Sequence, residues 1–82
     1  MDRQTVFNEV SKYLTHAFEV PEELITPEAD LVEELNLDSI DAVDLMVKLQ
    51  EFTGRKILKE DFVSVRTIDD VLNLVQRIHA EG

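Results

Sequence analysis

The sequence predicts an all-α fold: a small four-helix bundle, three main helices plus one short helix, with a long connection between helices 1 and 2. Three observations carry this prediction. Apolar residues recur at helical spacing in three separate segments, and those segments carry helix start or stop signals. No segment shows the two-residue alternation of a half-buried strand, and there is no internal repeat. Eighty-two residues, 44% of them hydrophobic, suffice for one modest core and hence a single domain over residues 1–82. With only two glycines and two prolines the chain does not read as a disordered tail.

Val6, Phe7, Val10, Leu14 and Phe18 fall on one side of a first amphipathic helix, from about Arg3 to Ala17, with Asn8, Glu9, Ser11, Lys12 and Thr15 between them. The connection that follows, roughly Phe18 to Leu37, holds both prolines. Within it Thr26 is expected to cap a short helical turn whose first position is Pro27. Val20, Leu24, Ile25, Leu31, Leu35 and Leu37 are expected to pin the connection to the core, because a structureless loop of this length is out of place in a small domain. The second helix starts with Asp38 as N-cap and Asp41 at the third helical position, a capping box made with a short acid. It runs to Phe52 or Thr53, where Gly54 supplies a left-handed stop. "KEDF" forms one further turn around residues 59 to 63. The last helix opens at "TIDD", with Thr67 as cap and Asp70 closing the box; Ile68, Val71, Leu72, Val75 and Ile78 make its apolar stripe.

Composition removes several function classes. The absence of cysteine means no disulfide and no thiol nucleophile, which suits a reducing compartment and a cytoplasmic location. The opening "MDRQTVFNEV" mixes charges and lacks the apolar core of a signal peptide. No apolar run approaches the roughly 20 residues that span a bilayer, so no membrane insertion is expected. Eighteen acidic residues against eight basic ones give a net charge of −10. That balance argues against nucleic acid, which needs a basic surface, and steers the chain towards basic partners.

The second helix has two apolar faces. At about 100° per residue, Ala42, Leu45, Met46, Leu49 and Phe52 gather on a core face. Ile40, Val43 and Val47 gather elsewhere, edged by Asp44 and Glu51. Either this second stripe is packed under a neighbouring segment, or it is an exposed apolar strip with acidic edges, which is the form of a docking surface. The strip begins one residue after Ser39. That serine can simply fill a helix N-terminal position. It lacks the partners of a hydrolase: His16 and His79 lie near the ends of other helices and no Gly-x-Ser-x-Gly elbow surrounds it. "NLDSID" has neither the alternating ligands nor the glycine of a calcium loop, so no metal site is expected. A serine modified by another protein remains, its attached phosphate supported by free N–H groups and the helix dipole.

The segment "LNLDSIDAVDLMVKL", with "ADLVEEL" before it and "TGRKI" and "TIDDVLNLV" after it, resembles the acyl carrier proteins of fatty-acid and polyketide synthesis, over essentially the whole chain. It looks like the family's Asp-Ser-Leu signature, with Ile40 in the leucine position. The resemblance implies a four-helix bundle and a carrier rather than an enzyme. It implies 4′-phosphopantetheine on Ser39, installed from coenzyme A by a phosphopantetheinyl transferase, with acyl groups held as thioesters. Carried over by position, it implies partner recognition through Asp38, Ile40, Asp41, Val43, Asp44, Val47 and Glu51. The partners implied are acyl-transferring and chain-elongating enzymes with basic docking surfaces, and a monomer is expected. An acyl chain inserted between the helices is expected to meet Leu45, Met46, Leu49, Phe62, Ile68 and Val71.

Some positions depart from the family pattern. Asn36 stands where glycine is usual, and Leu58 where proline is usual. Lys48 follows Asp44 by four residues, where it can pair with that acid. Arg55, Lys56 and Lys59 make the next segment basic. These departures point to a specialised pathway at least as much as to the general fatty-acid synthase. Two other functions fit the same residues: a carrier of amino or hydroxy acids for a peptide or cell-envelope pathway, and a helical adaptor that carries nothing.

Overall fold

The computed structural model describes residues 2–81. Four α-helices follow in order: α1 (Arg3–Phe18), α2 (Ser39–Thr53), α3 (Lys59–Phe62) and α4 (Ile68–Glu81), with one turn of 3₁₀ helix at Glu22–Leu24. No strand forms among the described residues; Asp30 and Thr67 make an isolated bridge.

Local hydrogen bonds account for the helix limits. The Thr5 N–H donates to Asp2 Oδ1 at 2.7 Å, capping α1 one residue before its first turn. Glu19 then takes a left-handed conformation, φ 56°, and ends the helix at Phe18, one residue beyond the expected Ala17. Thr67 and Asp70 close the box that opens α4, each accepting from the other's N–H at 3.1 Å. Gly54, φ 69°, stops α2 and donates to Gln50 O at 2.9 Å. The Gln50 side chain then accepts from Ile57 N–H at 2.8 Å and holds the following segment close, with Ile57 buried.

The core collects Val6, Val10 and Leu14 from α1, Leu45 and Leu49 from α2, and Ile68, Val71, Leu72, Leu74, Val75 and Ile78 from α4. No polar or charged side chain is buried among them. Helix α4 packs against both α1 and α2. Arg3 fastens the start of α1 to α4 through an ion pair with Asp69 and hydrogen bonds to Asn73 at 2.9 Å and Gln76 at 3.0 Å. Arg77 of α4 reaches Asp61 of α3 at 3.2 Å.

The long connection differs from its expected form. Thr26 and Pro27 start a tight turn rather than a helix, closed by Ala29 N–H on Thr26 O at 3.0 Å. Helical continuation is prevented because this backbone is bonded elsewhere. The Leu31 N–H donates to Arg66 O, while Ala29 O and Pro27 O accept from Ile68 and Asp69. Asp30, not Thr26, is the capping residue here: its Oδ1 accepts from Val32 and Glu33 N–H, both at 2.9 Å. Val20, Ile25, Leu31, Leu35 and Leu37 are buried as expected, and Ala29 joins them. Leu24 is not an anchor. It lies on the 3₁₀ turn and is 44% exposed, while Ile25 takes the inward position beside it.

Candidate functional site

The chain enters α2 through a short, firmly held segment. Leu35 and Leu37 are buried on either side of Asn36, and Leu37 N–H donates to Leu31 O at 2.9 Å. Reversing direction between two anchored residues puts Asn36 in the left-handed region, φ 60°. Asparagine tolerates that region better than most residues other than glycine, which explains how it is accommodated there. Asp38 and Asp41 form the expected box: Asp41 N–H donates to Asp38 Oδ1 at 2.9 Å and Asp38 N–H to Asp41 Oδ2 at 3.3 Å. Because Asp38 does the capping, the hydroxyl of Ser39, the first helical residue, stays outside the box and exposed to solvent.

The three serines differ sharply. Ser11 lies within α1, its Oγ enclosed and without a hydrogen-bond partner. Ser64 is exposed in the turn after α3. Only Ser39 combines exposure with a helix N-terminus.

The second apolar face of α2 is open. Ile40 is 70% exposed, Val43 48% and Val47 42%. Asp38, Asp44 and Glu51 are also exposed, and Asp41 is half-buried in the box. The strip therefore does not pack under the connection. Lys48 leaves these acids alone: it makes no ion pair with Asp44, and its Nζ lies 5.8 Å from the centre of the Tyr13 ring. Tyr13, in turn, stacks edge-on against Phe18 and makes a long contact, 3.4 Å, from its hydroxyl to the Asp44 carbonyl. Burial, then the charges of Asp44, Glu51 and Asp41, push the Tyr13 hydroxyl above its ordinary pKa.

An open cleft of about 560 Å³ runs between α2 and α3 beside the strip. It is lined by Ser39, Ile40, Ala42, Val43, Asp44 and Met46 from α2, and by Lys59, Phe62 and Val63 on the opposite side. Of the residues expected around an acyl chain, Met46 and Phe62 line this cleft. Leu45, Leu49, Ile68 and Val71 do not; each is at most 2% exposed in the closed core behind it. Ala42, Lys59 and Val63 line the cleft without having been expected to. Ala42 was legible from its place one turn before Met46, whereas Lys59 and Val63 reach the cleft only through the seating of α3.

A family model described as "Phosphopantetheine attachment site" matches residues 8–75. Acyl carrier protein 2 of Ralstonia nicotianae is 48% identical over 80 residues, covering 98% of this chain and 99% of that protein. The chain belongs to the acyl carrier protein family. The acyl carrier protein of Coprothermobacter proteolyticus is 37% identical over 76 residues, with 93% of each chain covered. Among solved structures, the acyl carrier protein of Thermotoga maritima superposes with a TM-score of 0.86 at 22% identity, covering 99% of this chain and 94% of that one. That of Enterococcus faecalis gives 0.79 at 23% identity, covering 95% and 99%. These two establish the small helical bundle. As an acyl carrier protein the chain is a carrier and not an enzyme, and its cofactor is 4′-phosphopantetheine, held covalently on a serine. Among the described residues no helix is long and apolar enough to cross a membrane, and no group of three or more His, Cys, Asp or Glu side chains is arranged to hold a metal ion.

Proposed function

We propose that this acyl carrier protein is a free-standing, monomeric cytoplasmic carrier that bears its arm on Ser39 and presents acyl thioesters to enzymes of fatty-acid, lipid or polyketide biosynthesis. The observation that carries the reading is the exposure of the Ser39 hydroxyl at the start of a capped helix, immediately before an exposed apolar strip edged by acids. The residues fit the cofactor: a hydroxyl at N1, free of capping duty, beside a cleft into which an arm can fold. The arm supplies the thiol that the chain lacks, so cargo is held as a thioester. The strip of Ile40, Val43 and Val47 gives partners an apolar centre, and Asp38, Asp41, Asp44 and Glu51 orient basic surfaces around it.

Cargo follows from the cleft. Its wall is mainly apolar, which favours acyl groups over amino or hydroxy acids. A short chain lies against Met46 and Phe62. A longer one reaches Leu45, Leu49, Ile68 and Val71 only where α2 and α3 part, since those four are closed off. The test is mass spectrometry after incubation with coenzyme A and a broad-specificity phosphopantetheinyl transferase. The wild-type chain should gain one arm, and Ser39→Ala none. An armed Ser39→Ala chain would reject the assignment, and an unarmed wild type would leave the adaptor function.

A further inference from the structure

Ser39 and Lys59 stand on one cleft, at the N-termini of two different helices. Lys59 is the one cation among the described residues of a lining whose other polar members are Ser39 and Asp44. It is exposed, and among the described residues it makes no ion pair, whereas Arg3, Lys12, Arg66 and Arg77 each do. Arg55 and Lys56, the other basic residues of this segment, do not line the cleft. We propose that Lys59 is the counter-ion of the arm: its ammonium pairs with the phosphodiester that joins 4′-phosphopantetheine to Ser39 and so holds the root of the arm over the cleft.

The inference depends on Ser39 being the attachment site. If it is, the phosphorus is bonded directly to Ser39 Oγ, so an anion sits at the cleft rim in every loaded form. Asp38, Asp41 and Asp44 lie within the first turns of the same helix and repel it, on a chain already at −10. The capping hydrogen bonds occupy Asp38 and Asp41 with each other, so neither turns away. The free N–H groups at the start of α2 offset part of this repulsion, and the cationic side chain that lines the same cleft stands on the opposite wall. A lysine there suits the task, because a flexible four-carbon stem lets a compact point charge follow a mobile anion. With its root drawn towards Lys59 on the α3 side of the cleft, the arm does not lie across Val47, which is outside the cleft, and that end of the strip stays open to partners. Lys59 is thus a positioning residue. The charge of Lys59 then acts within the molecule, and the acidic docking face keeps its charge.

The test uses the loaded full-length protein, with attachment first verified by mass, and reads the ³¹P resonance of the phosphodiester, which responds to its hydrogen bonding and torsion. In the wild type the resonance should move between about 0.01 M and about 1 M salt, as screening dissolves the pair. In Lys59→Gln it should sit at the wild-type high-salt position at both concentrations. Lys59→Arg should restore the salt dependence, and Lys56→Gln should behave as wild type. Both removed cations are exposed, and unchanged helix content confirms that each variant is folded. If Lys59→Gln and wild type give the same resonance at low salt, or if Lys56→Gln loses the shift equally, the pairing is overturned while the attachment to Ser39 stands. If the wild type takes no arm, or Ser39→Ala takes one, the attachment fails and the pairing fails with it.

Discussion

Ile40→Ala separates docking from folding on a single side chain. Ile40 is 70% exposed, the most open of the three strip residues. Truncation to alanine removes three carbons, worth about 2.4 kcal/mol at roughly 0.8 kcal/mol each when fully buried. The exposed share, about 1.7 kcal/mol by the same rule, is available to a partner that covers the side chain. The covered share, about 0.7 kcal/mol, already contributes to the fold, and alanine's better helix propensity offsets roughly half of that. The expected result is a Kd for the transferase raised about five- to twenty-fold, the lower end allowing for incomplete desolvation. The melting temperature should fall by only a few degrees, since about 1 kcal/mol shifts it by roughly 4–8 °C in a domain this size. Titration calorimetry and thermal melts on the same samples read both quantities. Leu45→Ala on the same helix is the contrast: it is 0% exposed and should cost about 2–5 kcal/mol of stability. Unchanged transferase affinity in a folded Ile40→Ala protein would refute the docking role, and a loss of stability like that of Leu45→Ala would refute the burial argument.

The charged edge should behave differently from the strip. Asp44→Lys or Glu51→Lys should slow association with the transferase about three- to ten-fold at low salt and far less at high salt, whereas Val43→Asp should shorten the complex lifetime at every salt concentration; association and dissociation rates at two ionic strengths distinguish them. Asp38→Ala removes the cap that Asp41 N–H uses and should lower stability by about 1 kcal/mol, while Asp38→Asn keeps an acceptor and should lose less than half of that, as chemical denaturation would show. In Asp70 the backbone N–H groups of Arg66 and Thr67 hold the carboxyl below its ordinary pKa, and in Asp30 those of Glu33 and Val32 do the same. A depressed folded value means that the stability is present above the unfolded value of roughly 3.9 and is lost as pH falls through the folded one. Asp70→Asn should therefore flatten the melting-temperature curve below about pH 4, and parallel curves for variant and wild type would contradict the assigned cause.

Much of this protein was legible in short stretches of sequence, because the interactions concerned are short-range. The boxes Asp38–Asp41 and Thr67–Asp70 and the stop at Gly54 involve groups within four residues of one another, and the structure reproduces all three. The three long helices likewise follow from a periodicity that each segment carries alone. The signature around Ser39 is contiguous, and so the family was recognisable before any fold was in view. Tertiary structure decided what depends on neighbours far along the chain. Whether Ile40, Val43 and Val47 face solvent turns on what packs beside α2, and nothing within the helix encodes it. Lys48 lies over Tyr13 of α1 rather than pairing with the nearby Asp44, because a half-buried aromatic face from another helix competes with a solvated carboxylate. The Thr26–Pro27 turn failed to become a helix because residues 27 to 31 bond to residues 66 to 69. The cleft, with Met46 and Phe62 on its walls and Leu45, Leu49, Ile68 and Val71 sealed behind it, exists only where four-residue α3 comes to rest facing α2, and a helix that short takes its position from contacts such as that of Asp61 with Arg77 of α4 rather than from its own sequence.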